Sequence, residues 1–144
     1  MPTELIQVTG QAVVLEARRW IGTPFHHQGR ALGVGVDCAG VVVMVAKALS
    51  LSDFDTTNYG HVPNGDEMER ILAENMDRVQ LDQRRAGDVL HFAFDAEPQH
   101  LAILTEENTI IHAYSLQPRR VVEVPLDAVW LARARGVYRY KGLA

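Results

Sequence analysis

The 144-residue chain contains a single cysteine, Cys38. One thiol cannot form an intramolecular disulfide, and it excludes a zinc site built from several cysteines. Cys38 is therefore a buried apolar residue, a surface thiol or a nucleophile. The general tendency of free cysteine to be buried favours the first of these.

The chain also lacks a basic stripe and a long apolar run. Its formal net charge is -4, and its 14 Lys and Arg residues are scattered apart from short pairs such as Arg84-Arg85 and Arg119-Arg120. We expect no nucleic-acid partner, because nucleic-acid binding usually needs clustered positive charge. No segment approaches the ~18 apolar residues of a membrane span, so the sequence predicts none.

The first eight residues have neither the basic start nor the apolar stretch of a secretory signal peptide. We therefore expect synthesis in the cytoplasm and, if the protein is exported, a route other than its own cleaved signal. The 47% hydrophobic and 22% charged residues are ordinary for a globular protein. No linker or repeat divides the chain, which predicts one domain over residues 1–144.

Three segments in the first half predict helices. Residues 10–21 and 65–77 carry the apolar spacing of amphipathic helices, the second capped by Asn64 or Asp66. The segment after Cys38 is apolar almost throughout. Its three consecutive valines favour a strand, but its length favours a helix. We therefore predict a buried helix that begins at Cys38.

From Gly87 onward the pattern changes to short apolar or alternating runs separated by turn residues. Five runs predict strands, at residues 89–94, 101–105, 109–114, 120–124 and 137–140. Residues 25–36 and 51–64 predict loops. Helices first and strands afterwards indicate an α+β domain, with N-terminal helices packed on an antiparallel sheet of about five strands.

Cys38 stands at the start of the predicted buried helix, after Asp37 and a glycine-rich loop. A helix N-terminus has unpaired N–H groups and a partial positive charge, both of which stabilise a thiolate. This position can lower a cysteine pKa from ~8.5 by one to several units. The placement supports a nucleophile without excluding a buried structural thiol.

A thiolate nucleophile needs an imidazole to hold its charge and then protonate the leaving amine. Of the six histidines, three lie in predicted loops, where we expect exposure: His26, His27 and His61. His91 alternates with apolar residues on a strand, and we interpret it as marking the face away from the core. His100 and His112 differ, because they lie on consecutive predicted strands joined by a tight turn.

The register of this hairpin decides whether the two imidazoles can meet. If Thr105 pairs with Thr109 around a three-residue loop, His100 and His112 share one face of the sheet. A two-residue loop would put them on opposite faces. The first register makes a relay in which His100 is the base for Cys38 and His112 orients the imidazole.

Five segments together resemble the motifs of NlpC/P60 cysteine peptidases. They occur in the family's order and at similar spacing, between residue 12 and the C-terminus. They are Gly22-Thr-Pro-Phe, Gly35-Val-Asp-Cys-Ala-Gly40, Gly87-Asp-Val-Leu-His-Phe92, His100-Leu-Ala-Ile-Leu and Ile111-His-Ala113. Each is weak alone, whereas five in order are a strong signal.

The resemblance implies a papain-like α+β core and hydrolysis of peptidoglycan stem peptides, often between D-γ-glutamate and the diamino acid. By motif position it implies Cys38 as nucleophile, His100 as base and His112 as the orienting residue. The backbone N–H of Cys38 is then a natural oxyanion donor.

Phe25, His26 and Asp37 are the candidate substrate-binding residues. The family commonly carries a tyrosine at the position of Phe25, with its hydroxyl reaching towards the cysteine. Phe25 cannot donate a hydrogen bond. We expect His26 or His27 to substitute, or the oxyanion site to be poorer, which affects the efficiency of catalysis more than its type.

The sequence has no recognisable wall-binding module, which resembles small stand-alone members encoded with phage tail genes. Arg119-Arg120-Val-Val-Glu and Asp127-Ala-Val-Trp130 suit that subgroup. The resemblance implies phage tail proteins as partners and action at the cell wall. Two alternatives stay open: chemistry on another amide or thioester, such as acyl transfer, and a structural tail component that retains the fold with little turnover.

We expect neither a metal nor another cofactor. The only thiol and the two paired histidines are better used for covalent catalysis, and no further cysteine or obvious carboxylate ligand joins them.

The first testable prediction concerns the thiol. Cys38 should be the only residue alkylated by iodoacetamide at neutral pH, and it should react faster in the folded protein than in urea, because the fold favours the thiolate. Mass spectrometry of timed samples measures both rates. Equal rates in the two states would count heavily against a nucleophilic Cys38.

Overall fold

A computed structural model describes residues 7–56, 67–95 and 97–144. The helices in these ranges are α1 (Gly10–Arg18), α2 (Cys38–Ala48), α3 (Glu67–Asn75) and α4 (Ala128–Ala132). The strands are β1 (Arg30–Ala31), β2 (Gly35–Val36), β3 (Met76–Val79), β4 (Val89–Phe94), β5 (Glu97–Leu104), β6 (Thr109–Ala113), β7 (Val121–Pro125) and β8 (Ala134–Tyr140).

Six of these strands form one antiparallel sheet in the order β3-β8-β4-β5-β6-β7. The strands β1 and β2 pair only with each other among the described strands. The predicted α+β class, with N-terminal helices on an antiparallel sheet, is confirmed. The sheet has six strands where the sequence predicted about five.

Helix α2 begins at Cys38, as predicted, and most of it is buried. Asp37 caps it, because its Oδ1 accepts a hydrogen bond from the backbone N–H of Gly40 at 2.8 Å. The helix packs against α1, β5 and β6. This burial on several sides outweighs the strand preference of the three valines, since tertiary packing routinely overrides intrinsic propensity.

The main sheet has an apolar cluster on each face. On one face α1 and α2 pack against side chains that include Leu101 and Ile103 of β5. On the other face Ala102 and Leu104 belong to a second cluster, to which α4 contributes Leu131. Successive side chains of a strand point to opposite faces. Ala102 and Leu104 therefore face α4, and Leu101 and Ile103 face the two long helices.

Two predicted segments need correction. Residues 25–36 are not wholly a loop, because they contain the β1–β2 hairpin, whose two-residue strands are too short to leave a periodic pattern. The predicted helix over 65–77 ends at Asn75, since β3 starts at Met76 and pairs with β8. The cap positions predicted for that helix, Asn64 and Asp66, lie outside the described residues.

The remaining differences lie at element ends and in one short helix. Helix α1 stops at Arg18 rather than at residue 21, and Trp20 and Ile21 follow in turns. Helix α4 was not predicted, because five residues are too few for a helical period. Its local signal is Asp127, whose Oδ1 accepts a hydrogen bond from the backbone N–H of Trp130 at 3.0 Å.

The start of α1 yields the second prediction. Alanine normally stabilises a helix by up to ~1 kcal/mol relative to glycine. At Gly10, however, an added Cβ would collide with the backbone carbonyl of Ala86. We expect Gly10→Ala to lower the free energy of unfolding by roughly 1–3 kcal/mol in urea titrations. Leu15→Ala is the control on the same helix, because Leu15 is 57% exposed; a Gly10→Ala protein as stable as the wild type would contradict the close packing.

Candidate active site

The β5–β6 hairpin adopts the register in which the two histidines share a face. The backbone N–H of Thr105 donates to the carbonyl of Thr109 at 2.9 Å, and Leu104 pairs with Ile110. Asn108 ends the three-residue loop with a φ of 58°, the left-handed conformation that such loops require. The predicted three-residue turn is confirmed.

This register brings His100 and His112 into direct contact. The Nε2 atom of His100 lies 2.6 Å from the Nδ1 atom of His112. The two side chains are 0% and 1% exposed. The structure therefore pairs the predicted base with the residue predicted to orient it.

Aromatic side chains surround the imidazole pair. His112 stacks on Tyr114, with ring centroids 5.1 Å apart and an interplanar angle of 22°. Trp130 of α4 meets His112 edge-on at 5.1 Å and His100 at 5.8 Å. Phe92 also contacts the His100 ring, at 6.3 Å. These rings keep solvent away from the contact between the two histidines.

Burial makes His112 a neutral side chain. Desolvation, with a smaller contribution from the charge on His100, lowers the pKa of His112 to about 3. A neutral imidazole has one donor and one acceptor nitrogen. At neutral pH, His112 can therefore accept a hydrogen bond from His100 at Nδ1 while its Nε2 carries the proton.

Cys38 contacts β5 next to His100. It is half-buried at the first position of α2, and its thiol lies 4.0 Å from the carbonyl oxygen of Gln99, the residue before His100. Main-chain pairing between the described residues of β5 and β6 stops at Ile103 and Ile111. The thiol therefore contacts a part of β5 that lies before Ile103 and is no longer paired with β6.

Asp37 holds the start of the cysteine-bearing helix. Its Oδ1 accepts hydrogen bonds from the Gly40 N–H and from Nη1 of Arg30 at 3.0 Å, and its Oδ2 accepts from the Gln28 N–H at 2.8 Å. Arg30 also pairs with Asp55 at 3.2 Å. This engagement favours a positioning role for Asp37, and its contact with substrate stays a prediction. Arg30 was missed because a lone arginine in a glycine-rich loop carries no sequence signal.

Phe25 and His26 lie beside the strand that leads to Cys38. Phe25 forms a bridge with Val36 and packs, half-buried, against the helix-side core. The exposed His26 has its Nδ1 3.0 Å from the carbonyl oxygen of His27, to which it can donate a hydrogen bond. The proposed contacts of Phe25 and His26 with substrate stay predictions. His61 lies outside the described residues.

His91 does not mark a face away from the core. Its side chain is 2% exposed, and its Nε2 lies 2.8 Å from Oε1 of Gln99. Burial lowers the pKa of His91, against the opposing effect of the Gln99 hydrogen bond. The interpretation from alternation was wrong, because a sheet covered on both faces offers no exposed side for alternate residues.

The described residues bear on two further expectations, one about a bound metal and one about a membrane span. Among residues 7–56, 67–95 and 97–144, no group of three or more His, Cys, Asp or Glu side chains is arranged to hold a metal ion. Within the same ranges, no helix combines the length and apolar character that crossing a membrane requires. Chemistry without a cofactor stays a prediction.

Comparison with known families and structures gives a consistent result. The NlpC/P60 family model matches residues 22–139. An NlpC/P60 family protein from Bacillus cereus ATCC 10987 has a TM-score of 0.70 and 20% identity, over 95% of this chain and 42% of that one. The chain thus spans less than half the length of that relative. A comparison with curated proteins gives no match.

Two further structures share the fold. The NlpC/p60 domain of the peptidoglycan hydrolase SagA has a TM-score of 0.59 and 22% identity, over 91% of this chain and 98% of that one. A mutated form of the resuscitation promoting factor interacting protein RipA has a TM-score of 0.61 and 21% identity, over 91% and 61%. The predicted papain-like α+β fold is confirmed by these likenesses.

The buried His112 generates the third prediction. Its pKa is lower in the folded chain than its ordinary value of 6.5, so the unfolded chain binds a proton that the folded chain excludes. The stability that depends on neutral His112 is complete above pH 6.5 and is lost as the pH falls towards about 3. Replacing His112 with Gln removes this dependence.

Urea titrations of the wild type and His112→Gln over this pH range measure the effect. The difference in unfolding free energy between the two proteins should move in favour of the variant as the pH falls. His91 contributes with the same sign but is present in both proteins, so it cancels in the difference. Parallel stability curves would contradict a buried, neutral His112.

Proposed function

Because this chain belongs to the NlpC/P60 family, whose model matches residues 22–139, we propose that it is a cysteine endopeptidase of peptidoglycan stem peptides. The observation that carries the proposal is the buried 2.6 Å contact between His100 and His112. Cys38, at the start of α2, contacts the backbone of Gln99, the residue before His100. The shared fold of SagA, a peptidoglycan hydrolase, supports the choice of substrate.

In the first half of the proposed reaction, His100 takes the proton of the Cys38 thiol at Nδ1, the ring nitrogen that His112 does not contact. The thiolate attacks the carbonyl carbon of the scissile amide and forms a tetrahedral oxyanion. The bond to nitrogen then breaks as the imidazolium gives its proton to the leaving amine. The product is a thioester between Cys38 and the acyl half of the peptide.

In the second half, His100 takes a proton from a water molecule that attacks the thioester carbonyl. The carbon–sulfur bond breaks, the carboxylic acid leaves, and the imidazolium of His100 returns its proton to the Cys38 sulfur. His112 stays neutral throughout, because burial keeps its pKa near 3. It accepts a hydrogen bond from the Nε2–H of His100, which fixes the ring and stabilises the imidazolium.

The start of α2 supplies the stabilisation of the oxyanion in this proposal. The backbone N–H of Cys38 belongs to the first turn, where N–H groups point out of the helix and the macrodipole is positive. Asp37 and Arg30 fix the direction of this turn. Phe25 adds no donor, so we expect a weaker oxyanion site than a tyrosine at that position would give.

The finer assignment is cleavage between D-γ-glutamate and the diamino acid, as part of a phage tail. It rests on the resemblance of the motifs around Cys38 and His100, and of Arg119-Arg120 and Asp127-Ala-Val-Trp130, to those members. Mass spectrometry of purified phage particles tests the tail assignment. A protein absent from particles whose genome encodes it would contradict that assignment.

Purified muropeptides test the activity, which is the fourth prediction. Wild-type protein should cut them within the stem peptide, whereas Cys38→Ala should give no product, because the nucleophile is gone. Mass spectrometry identifies the bond. Equal product from both proteins would overturn the nucleophile. No product from either would favour a structural tail component, and transfer to an added amine instead of water would favour an acyltransferase.

The histidine variants should lose activity in a fixed order. His112→Asn and His112→Gln should keep partial activity, because either side chain can still contact the His100 ring. His112→Ala should lose more, since misorientation alone can cost ~10² in rate. His100→Ala should be worst, because it removes the base. A His112→Ala protein as active as His112→Gln would show that orientation is not the role of His112.

A further inference from the structure

The loop between β6 and β7, residues 114–120, borders the proposed site on the histidine side. Tyr114 stacks on His112, and its backbone N–H donates to the carbonyl of Arg120 at 3.2 Å. The backbone of Arg119 is thereby held next to the strand that carries His112.

The same loop borders the cysteine side. The backbone N–H of Phe25 donates to the carbonyl of Arg119 at 2.8 Å. Phe25 in turn bridges Val36, two residues before Cys38. Arg119 therefore lies between the segment that leads to the nucleophile and the strand that carries the imidazole pair.

The side chain of Arg119 is held in place but has no anionic partner among the described residues. Its guanidinium carbon lies 5.8 Å from the centre of the Phe25 ring, and its Nη1 donates to the carbonyl of Ser115 at 2.8 Å. In the described part of the chain, Arg119 makes no ion pair with a carboxylate. The residue is exposed.

The backbone of Arg119 is unusual as well. Its φ of 58° places a non-glycine residue in the left-handed region, which costs roughly 1–2 kcal/mol. Such conformations persist where the surrounding structure enforces them, and they cluster at ligand-binding positions. Here three backbone hydrogen bonds enforce it, from Phe25 to Arg119, from Arg119 to Leu116 and from Tyr114 to Arg120.

The substrate class named above has a matching charge. A γ-glutamyl bond uses the side-chain carboxyl of glutamate, so the α-carboxyl remains free and ionised at neutral pH. That carboxylate is four bonds from the scissile carbonyl carbon. A guanidinium on the loop that borders both sides of the site is well suited to bind it, because its paired N–H groups match the two carboxylate oxygens.

We propose that Arg119 binds the free α-carboxylate of the γ-linked D-glutamate and so selects stem peptides in which this group is not amidated. The inference rests on the proposed function, since it names the substrate feature that the same site reads. Phe25 has a new role in this arrangement, because its ring supports the guanidinium that the loop of residues 114–120 presents to the substrate.

The test compares two synthetic peptides that differ in one group. One is L-Ala-γ-D-Glu joined to meso-diaminopimelate or L-lysine, whichever the wild type cleaves faster, and then to D-Ala. The other carries a carboxamide in place of the α-carboxyl of D-Glu. The wild type should favour the first peptide by roughly tenfold or more in kcat/KM, mainly through KM, as expected for a charge-assisted hydrogen bond.

Arg119→Gln should remove this preference by weakening only the reaction of the carboxylate peptide. Arg119→Lys should retain part of it, because lysine keeps the charge without the paired N–H groups. Arg70→Gln is the control, since it removes one exposed positive charge on α3 outside this loop. Unchanged alkylation of Cys38 in Arg119→Gln establishes that the nucleophile is intact.

The outcomes separate this inference from the proposed function. A wild type that cleaves both peptides equally, or an Arg119→Gln protein that keeps the preference or slows on both peptides alike, overturns the role of Arg119 and leaves the peptidase standing. A wild type that cleaves neither peptide overturns both. Binding of the two peptides to Cys38→Ala, measured by calorimetry, should show the same preference without turnover.

Discussion

The register of the β5–β6 hairpin is the constraint on which the site depends. A shift of one residue would move His100 and His112 to opposite faces of the sheet and end their 2.6 Å contact.

The turn between β5 and β6 is held by side chains from other elements as well as by its own backbone. The hydroxyl of Thr109 donates to Glu123 at 2.7 Å, and Arg18 of α1 donates to the same carboxylate at 3.0 Å. These partners lower the pKa of Glu123, so it stays ionised. The charged network at the turn therefore stabilises the geometry of the imidazole pair at the other end of the strands.

The two faces of the sheet contribute different parts of the site around the two histidines. The helix side presents a thiol at the start of a capped helix, with Asp37 and Arg30 fixing its first turn. The α4 side surrounds the histidines with Tyr114, Trp130 and other rings, and this burial keeps His112 neutral. In the proposed mechanism the thiol and the base meet in the first half of β5, where its pairing with β6 has stopped.

The features predicted correctly from the sequence are those with local causes. Asp37 before an apolar run predicts where α2 begins, and Glu106-Glu107-Asn108 between two threonines predicts the turn that pairs His100 with His112. The features that were missed have distant causes. Strand β3 exists because β8 lies beside it, and His91 is buried because both faces of the sheet are covered. Arg30 is held by the carboxylates of Asp37 and Asp55, which lie seven and twenty-five residues away in the chain. No pattern within a short window carries that information.

The relay between His100 and His112 is tested most sharply by the protonation of their ring nitrogens, which nitrogen-15 NMR of the histidine side chains follows between about pH 5 and pH 8. The relay requires a neutral His112 throughout, with no proton on Nδ1, and a proton on Nε2 of His100 that is shared in the hydrogen bond between them. A His112 that takes up a proton near its ordinary pKa of 6.5, or one that carries its proton on Nδ1, would contradict the relay.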